Sequence, residues 1–398
     1  MRRAVIVNPL RTPIGTFGGV LRPVPAEELA TIVVREVLQR SGVDGGLIDD
    51  VILAQSYANS EAPCIGRWAA LNAGLPVEVP GMQVDRRCGG GLQAILNAAM
   101  QVQTGVADVV LAGGVESMSN VELYTQDARW GSRSGGITMH DRLDRGRERS
   151  QPVERFGIIS GMIETAENVG SLYGIQREEA DAYSAESHRR AQAAWDSGVF
   201  DAEVVPVTVP QRRGDPMRVI RDEGIRPDTT VERLSVLRPI IPGGTVTAGN
   251  ASQQNDAAAA CLVVDSDTAE RLDLEPLAYL ETFAAAGCDP AMMGIGPVKA
   301  VDKLFARSGL SFDDLDLVEL NEAFATQVLG VLKGWDWDDR SRLNVYGSGI
   351  SLGHPVGATG ARMTATALHE LARRKGERAM ITMCIGGGQA LAAVFRRL

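Results

Sequence analysis

The sequence predicts an α/β protein built from two related halves, and three observations predict it. Short apolar runs read as buried strands. Amphipathic stretches at helical spacing lie between them. One helix–turn–strand pattern recurs late in the chain. Short buried strands alternating with helices mark α/β architecture.

The strand-like runs are Val51-Ile52-Leu53-Ala54 and Val109-Val110-Leu111-Ala112, the second leading into Gly113-Gly114. Near the end come Leu317-Val318-Glu319-Leu320 and Ala379-Met380-Ile381-Thr382-Met383. Residues 92–103 form a helix-like segment, with Leu92, Ile95, Leu96 and Ala99 recurring as one face of a helix does.

The repeat is visible in residues 33–57 and 301–324. Leu38-Gln39-Arg40-Ser41-Gly42 precedes Asp49-Asp50-Val51-Ile52-Leu53. Phe305-Ala306-Arg307-Ser308-Gly309 precedes Asp316-Leu317-Val318-Glu319-Leu320. Subtraction gives 307 − 40 = 267 and 318 − 51 = 267. Gly105-Val106-Ala107-Asp108-Val109-Val110 is echoed by Gly376-Glu377-Arg378-Ala379-Met380-Ile381, at 376 − 105 = 271. Two segments that keep order and nearly one offset imply duplicated halves, near 1–120 and 275–398.

The stretch between them differs. Residues 127–155 carry Arg129, Arg133, Arg142, Arg145, Arg147, Arg149 and Arg155 among glycines and serines. Alternating helical and polar segments run on to about residue 245, which reads as an inserted, loop-rich region. Its arginines are either a solvated surface paired with acids or an attractor for a polyphosphate ligand.

Composition narrows the function. The chain has 398 residues, 44% of them hydrophobic and 23% charged, as ordinary globular proteins do. A net charge of −10 argues against general nucleic-acid binding. The 5 cysteines are widely spaced with no CxxC pair, so neither a disulfide framework nor a metal site is expected. No apolar run reaches the ~18 residues of a membrane span, and no signal-peptide core follows Met-Arg-Arg. The expectation is a reduced, cytoplasmic protein.

Three glycine-rich features carry the chemistry. Cys88-Gly89-Gly90-Gly91 leads into the helix at Leu92. Glycines let backbone N–H groups approach a ligand, and a helix N-terminus favours thiolate. A tight strand–helix turn is the structural alternative. The second feature is the run from Gly347 to Gly360, which contains His354. Of the 4 histidines, His188 and His369 sit on charged helical segments and read as surface residues. His140 falls in the Arg-rich loop. The third feature is Cys384-Ile385-Gly386-Gly387-Gly388, at a strand end. Together they place two cysteines and one histidine on glycine-rich element ends, where active sites of open α/β folds gather.

With these motifs assembled, the sequence resembles the thiolase family over nearly its whole length. The matching segments, in family order, begin with Arg11-Thr12-Pro13-Ile14-Gly15 and Cys88 with its glycines. Ala112-Gly113-Gly114-Val115-Glu116-Ser117-Met118-Ser119 and Thr247-Ala248-Gly249-Asn250-Ala251-Ser252 follow. Met293-Gly294-Ile295-Gly296-Pro297, Asn321-Glu322-Ala323-Phe324-Ala325, Leu352-Gly353-His354-Pro355-Val356-Gly357-Ala358 and the Cys384 segment complete the set.

The resemblance implies a thiolase-like α/β fold of α-β-α-β-α layers from two duplicated halves. It implies one half at 1–119 plus about 246–272, an inserted loop domain at 120–245, and the other half at 273–398. It implies a homodimer or homotetramer acting on CoA and acyl-CoA thioesters, with no metal or redox cofactor. Cys88 then corresponds to the acyl-accepting nucleophile and His354 to its base. Cys384 corresponds to the acid/base at the α-carbon. Asn321 holds a water beside His354, and the N–H groups of Cys88 and Gly386 form a second oxyanion hole. Arg212, in Arg212-Arg213-Gly214-Asp215, resembles an adenine-end turn of the CoA site. Ser252 and Met162 match pantetheine-channel positions, and Phe324 and Met293 stand in substrate-side motifs.

Departures concern the substrate. Asp85 and Gly90 stand where the family pattern around the nucleophile has Asn and Ser. Tyr346 and Ser348 stand for Asn and Gly before the histidine motif. Gln253 follows Ser252 in place of Gly, and Gly161 replaces a histidine of some short-chain members. A carboxylate at Asp85 would oppose thiolate at Cys88, with Arg86 or Arg87 to offset it. Two other readings share the fold: a decarboxylating condensing enzyme, and a non-catalytic lipid or acyl-CoA binding protein. The second cysteine at 384 and the Asn-Glu-Ala-Phe segment speak against the first. The complete set Cys88, Asn321, His354 and Cys384 speaks against the second.

Overall fold

The computed structural model describes residues 2–159 and 162–398. Gly161, one of the departures, lies outside the described residues.

A ten-stranded mixed sheet forms the spine. Its main strands are β1 (Ala4–Arg11), β2 (Asp50–Ala54), β3 (Gly81–Val84), β4 (Val109–Ser117), β5 (Asn255–Asp265), β6 (Ala278–Gly287), β7 (Leu317–Leu320), β8 (Arg378–Ile385) and β9 (Gln389–Arg397). They lie in the order β7-β8-β9-β6-β1-β5-β4-β2-β3, and a two-residue strand at Gly15–Thr16 pairs with β5. The helices of at least eight residues are α1 (Ala26–Ser41), α2 (Ile65–Asn72), α3 (Gly90–Thr104), α4 (Ile163–Tyr173), α5 (Arg177–Asp196), α6 (Gly296–Ser308), α7 (Ala325–Trp335) and α8 (Thr359–Arg373).

The sequence repeat is a repeat of topology. Strand β2 runs parallel to β4, with Val51 opposite Leu111. Strand β7 runs parallel to β8, with Val318 opposite Met380. The helices before β2 and β7 end alike. Gly42 caps α1 at φ 66° and donates to Leu38 O, and Gly309 caps α6 at φ 75° and donates to Phe305 O. Left-handed caps of this kind select glycine. The halves join where Val5 and Ile6 of β1 pair with Tyr279 and Ala278 of β6.

Strand alternation then sets the layers. Along β5, Ala258, Ala260, Leu262 and Val264 face the core shared with α1, while Ala259, Cys261 and Val263 face the core of α3 and α8. Along β9, Leu391, Ala393 and Phe395 face that same inner core, while Ala390, Ala392 and Val394 face α6 and α7. A period of two puts both faces of each half-sheet under helices. The result is helix, sheet, helix, sheet, helix, with α3 and α8 in the middle. Leu92, Ile95, Leu96 and Ala99 of α3 are at most 1% exposed, and each large one contributes roughly 2 kcal/mol by burial.

Among the described residues, 118–254 add no main strand to the sheet. They form α4, α5, shorter helices and two small hairpins. The sequence reading of His188 as a surface residue is wrong. It is buried on α5, and its Nδ1 accepts from the Arg226 N–H at 3.2 Å. The polar residues flanking it cover the other face of a helix that packs on the body. No described helix is long and apolar enough to cross a membrane.

Candidate active site

Cys88 sits between β3 and α3, in a short 3-10 turn at Arg87–Gly89. Arg87 holds a left-handed φ of 46°, uncommon for a residue with a long side chain. The Asp85 carboxylate accepts from the Arg87 N–H at 2.7 Å and fixes the turn. The glycines after the cysteine serve packing more than ligand approach. A Cβ on Gly90 would lie 2.9 Å from Ala54 Cβ, and one on Gly91 would lie 2.7 Å from the Ala361 backbone nitrogen. Absent side chains let the start of α3 touch α8, which brings Cys88 to the other half's loops.

His354 arrives on the loop before α8. Gly353 precedes it at φ 115°, and a Cβ there would lie 2.7 Å from the Asn255 side chain. That close approach lets Asn255 Oδ1 accept from the His354 N–H at 2.8 Å, while Asn255 Nδ2 donates to Gly15 O at 2.9 Å. The imidazole Nδ1 lies 2.7 Å from Thr359 Oγ1. Glu116 ties the same loop to the first half. Its carboxylate accepts from the N–H groups of Gly357, Ser56 and Tyr57.

Cys384 is buried at the end of β8, packed with Met293, Ala323 and Phe324. Gly386 follows in the tight connection to β9, and Gly387 and Gly388 adopt φ 86° and 79°. Asn321 ends β7. Its N–H donates to Thr382 O at 3.0 Å, and its Nδ2 lies 3.5 Å from His354 Nε2. Its Oδ1 is buried without a protein hydrogen-bond partner among the described residues.

These elements surround a cavity of about 510 Å³. Cys88, His354, Cys384 and Gly386 all line it, as do Met162, Ser252, Met293 and Phe324. Asn321 stands behind His354. Arg212 lies elsewhere, exposed in the hairpin formed by Val207–Val209 and Met217–Val219.

The family model for the thiolase N-terminal domain matches residues 4–267, and that for the C-terminal domain matches residues 274–397. The chain belongs to the thiolase family. It is 45% identical over 400 residues to the beta-ketothiolase BktB of Cupriavidus necator, covering 100% of both chains. The crystal structure of the Bacillus anthracis acetyl-CoA acetyltransferase superposes with a TM-score of 0.96 at 42% identity, covering 100% of this chain and 99% of that one. Human mitochondrial 3-ketoacyl-CoA thiolase in complex with CoA superposes with a TM-score of 0.94 at 38% identity, covering 100% and 98%. The chain is therefore a thiolase and an acyltransferase, and the non-catalytic alternative loses its support.

The electrostatics of this thiolase differ from the sequence expectation at one point. The sequence predicts that a helix terminus beside Cys88 favours thiolate. Burial instead pushes the Cys88 thiol up, although the N–H groups of Gly386 and Cys88 and the Arg87 cation pull it down. Asp85 adds a smaller upward push. Burial, then the cations Arg362 and Arg147, hold His354 down at about 3. Burial raises Cys384 well above an ordinary thiol, with Cys88 and Cys288 contributing. The resting site thus holds neutral thiols and a neutral imidazole. A desolvated pocket disfavours a separated ion pair, so the proton moves as substrate charge develops.

The other departures have local explanations. Gln253 lines the cavity, but its Nε2 donates to Gly224 O at 2.9 Å and Ile350 O at 3.0 Å. Ser348 Oγ accepts from the buried Arg362 at 3.1 Å. Tyr346 donates its hydroxyl to Glu370. Sequence reasoning gave no role to Glu116, Asn255, Thr359 or Glu322. Glu322 accepts from Tyr183, Ser187, Asn344 and the N–H groups of Ser348 and Ile350, and so shapes the loop before His354. Glu116 and Glu322 do lie inside matched motifs; their signal was a carboxylate in an apolar strand end.

Proposed function

We propose that this thiolase cleaves 3-ketoacyl-CoA with free CoA, and in reverse condenses acetyl-CoA with an acyl-CoA. The observation that carries this reading is the convergence of Cys88, His354, Cys384 and the Gly386 N–H on one cavity. In thiolysis the Cys88 sulfur attacks the 3-keto carbon as His354 Nε2 takes its proton. The C2–C3 bond breaks, the acyl group stays on Cys88, and acetyl-CoA leaves as an enolate that Cys384 protonates. Free CoA, losing its thiol proton to Cys384, then attacks the acyl-cysteine thioester; the Cys88 sulfur leaves, takes its proton back from His354, and the acyl group departs on CoA.

Two kinds of oxyanion form: a tetrahedral one each time a sulfur attacks a carbonyl, and the enolate released when the C2–C3 bond breaks. Asn321, through a water, and His354 serve the thioester enolate. The N–H groups of Cys88 and Gly386 serve the acyl-enzyme step. Fixed donors of this kind are worth roughly 3 kcal/mol each. Met162, Ser252, Met293 and Phe324 form the channel for the pantetheine arm and thioester, and Arg212 serves the adenine end. The thioester brings its own leaving group, so the reaction takes no metal or redox cofactor. We assign residues 1–119 and about 246–272 to one half, 273–398 to the other, and 120–245 to an inserted domain. A cytoplasmic homodimer or homotetramer completes the proposal. The N- and C-terminal family matches support the two halves.

Thiolysis of acetoacetyl-CoA by free CoA, followed through loss of enolate absorbance, tests the reading. Turnover is expected. Silence on this and on longer 3-ketoacyl-CoAs, in protein whose Cys88 still reacts with iodoacetamide, would overturn it.

A further inference from the structure

The cavity has two walls of different character. One is the apolar cluster around Cys384, with Met162, Ile163, Ala251, Met293 and Phe324. The other rests on Tyr57, Met118 and Val356, and charged side chains reach it from Arg87 and from residues 144–148.

Arg147 and Arg87 are the cations of that second wall. The Arg147 side chain is 18% exposed. Asp144, its carboxylate neighbour, lies 3.4 Å away and is 70% exposed, so water screens most of that attraction. Both Nη groups of Arg147 face the Gln254 amide, and orienting that amide with its oxygen towards them lets it accept from Nη1 (3.1 Å) and Nη2 (3.0 Å). The guanidinium is thus fixed by a neutral group. Arg87 stands beside it, donating to Gly146 O at 3.3 Å, with its guanidinium 5.7 Å from the Tyr57 ring centroid. Burial raises the Tyr57 hydroxyl's pKa, and Arg147 and Arg87 pull against it. Asp144 and Glu148 line the same wall, but Asp144 is 70% exposed and Glu148 forms no ion pair with either guanidinium among the described residues, so both arginines keep N–H groups for an anion.

An apolar acyl tail laid here would desolvate a guanidinium without pairing it, which is costly. An anionic tail would receive charge-assisted, two-pronged hydrogen bonds. The CoA phosphates are the other anions of the system. They lie a full pantetheine arm from the thioester, whereas Arg147 lines the same cavity as Cys88 and His354, and Gln254 beside it adjoins Asn255, whose Oδ1 accepts from the His354 N–H. We propose that this wall is the acyl-tail subsite and that it selects 3-ketoacyl-CoAs whose chain ends in a carboxylate, paired by Arg147. The proposal rests on Cys88 being the acyl acceptor.

The test compares thiolysis of two 3-ketoacyl-CoAs of equal chain length, one ending in methyl and one in carboxylate. The expected kcat/KM ratio favours the carboxylate by ~10-fold or more, and Arg147→Met lowers that ratio by ~10-fold or more, as loss of a charge-assisted bond would. Arg147→Lys keeps part of it. A wild-type preference for the methyl end overturns the proposal, as does an equal loss on both substrates in Arg147→Met. A raised KM for free CoA with an unchanged ratio reassigns Arg147 to the CoA phosphates. If Arg147→Met does not fold, intact-mass rates of Cys88 acylation of the wild type by carboxylate-ended and methyl-ended acyl-CoAs decide. Faster acylation by the carboxylate-ended thioester supports the proposal, and faster acylation by the other defeats it. Cleavage of acetoacetyl-CoA without any carboxylate preference removes this inference alone. Failure on every substrate removes the thiolase reading and this inference with it.

Discussion

Thr359 Oγ1 lies 2.7 Å from His354 Nδ1 and 2.9 Å from the Pro355 carbonyl. The hydroxyl has one proton, and the carbonyl can only accept it. The Thr359 oxygen therefore accepts from His354 Nδ1–H, which leaves the lone pair on Nε2, the nitrogen near Asn321. Thr359→Val removes the acceptor and frees the tautomer. We expect kcat to fall roughly tenfold or more, with Thr359→Ser restoring most of it. Equal kcat in Thr359→Val and wild type would show that the hydroxyl is a packing element only.

The two cysteines occupy different steps, so their variants should fail differently. Cys88→Ala should form no acyl-enzyme with acetyl-CoA, seen by intact mass. Cys384→Ala should still acylate Cys88 but lose carbon–carbon cleavage by ~100-fold or more. An acyl adduct persisting in Cys88→Ala, or full turnover in Cys384→Ala, would exchange or erase these roles.

The fold was legible where buried surface repeats at a fixed period. Strands at 51–54 and 317–320 and the helix at 92–103 stand within a residue or two of their expected bounds. The repeat survived because each half needs the same helix cap before the same strand. What stayed hidden depends on contacts distant in sequence. Asn255 meets His354 across a separation of 99 residues, and Glu116 meets Gly357 across 241. No local pattern encodes such partners. The thiol pKa is hidden for a related reason: a helix terminus is visible in sequence, whereas the desolvation opposing it appears only once the two halves meet around Cys88.

Asp85 allows a test of charge near the nucleophile. Asn at this position keeps an oxygen to accept from the Arg87 N–H, so the turn should persist while the charge is lost. Asp85 pushes the Cys88 thiol up, so Asp85→Asn should move iodoacetamide alkylation to lower pH. Because Asp85 is exposed, the shift should shrink as salt rises. Identical alkylation profiles at low ionic strength would show that solvent already silences this carboxylate.

His188 makes stability depend on acid. Burial, reinforced by Arg226, holds it down at about 4, against 6.5 for the free side chain. Above 6.5 both folded and unfolded chains carry a neutral imidazole, and the group costs nothing. As pH falls below 6.5 the unfolded chain gains the proton first, and stability drains until the folded pKa near 4 is passed. Full passage through that window costs roughly 3 kcal/mol. His354, held lower still, loses stability in the same direction, so a single variant must separate them. His188→Gln retains an acceptor for the Arg226 N–H and cannot titrate. Urea unfolding between pH 7 and 5 should show a shallower loss in His188→Gln than in wild type. Parallel slopes would mean that His188 is protonated in the folded chain as readily as in the unfolded one, and that its bond to Arg226 does not survive in solution.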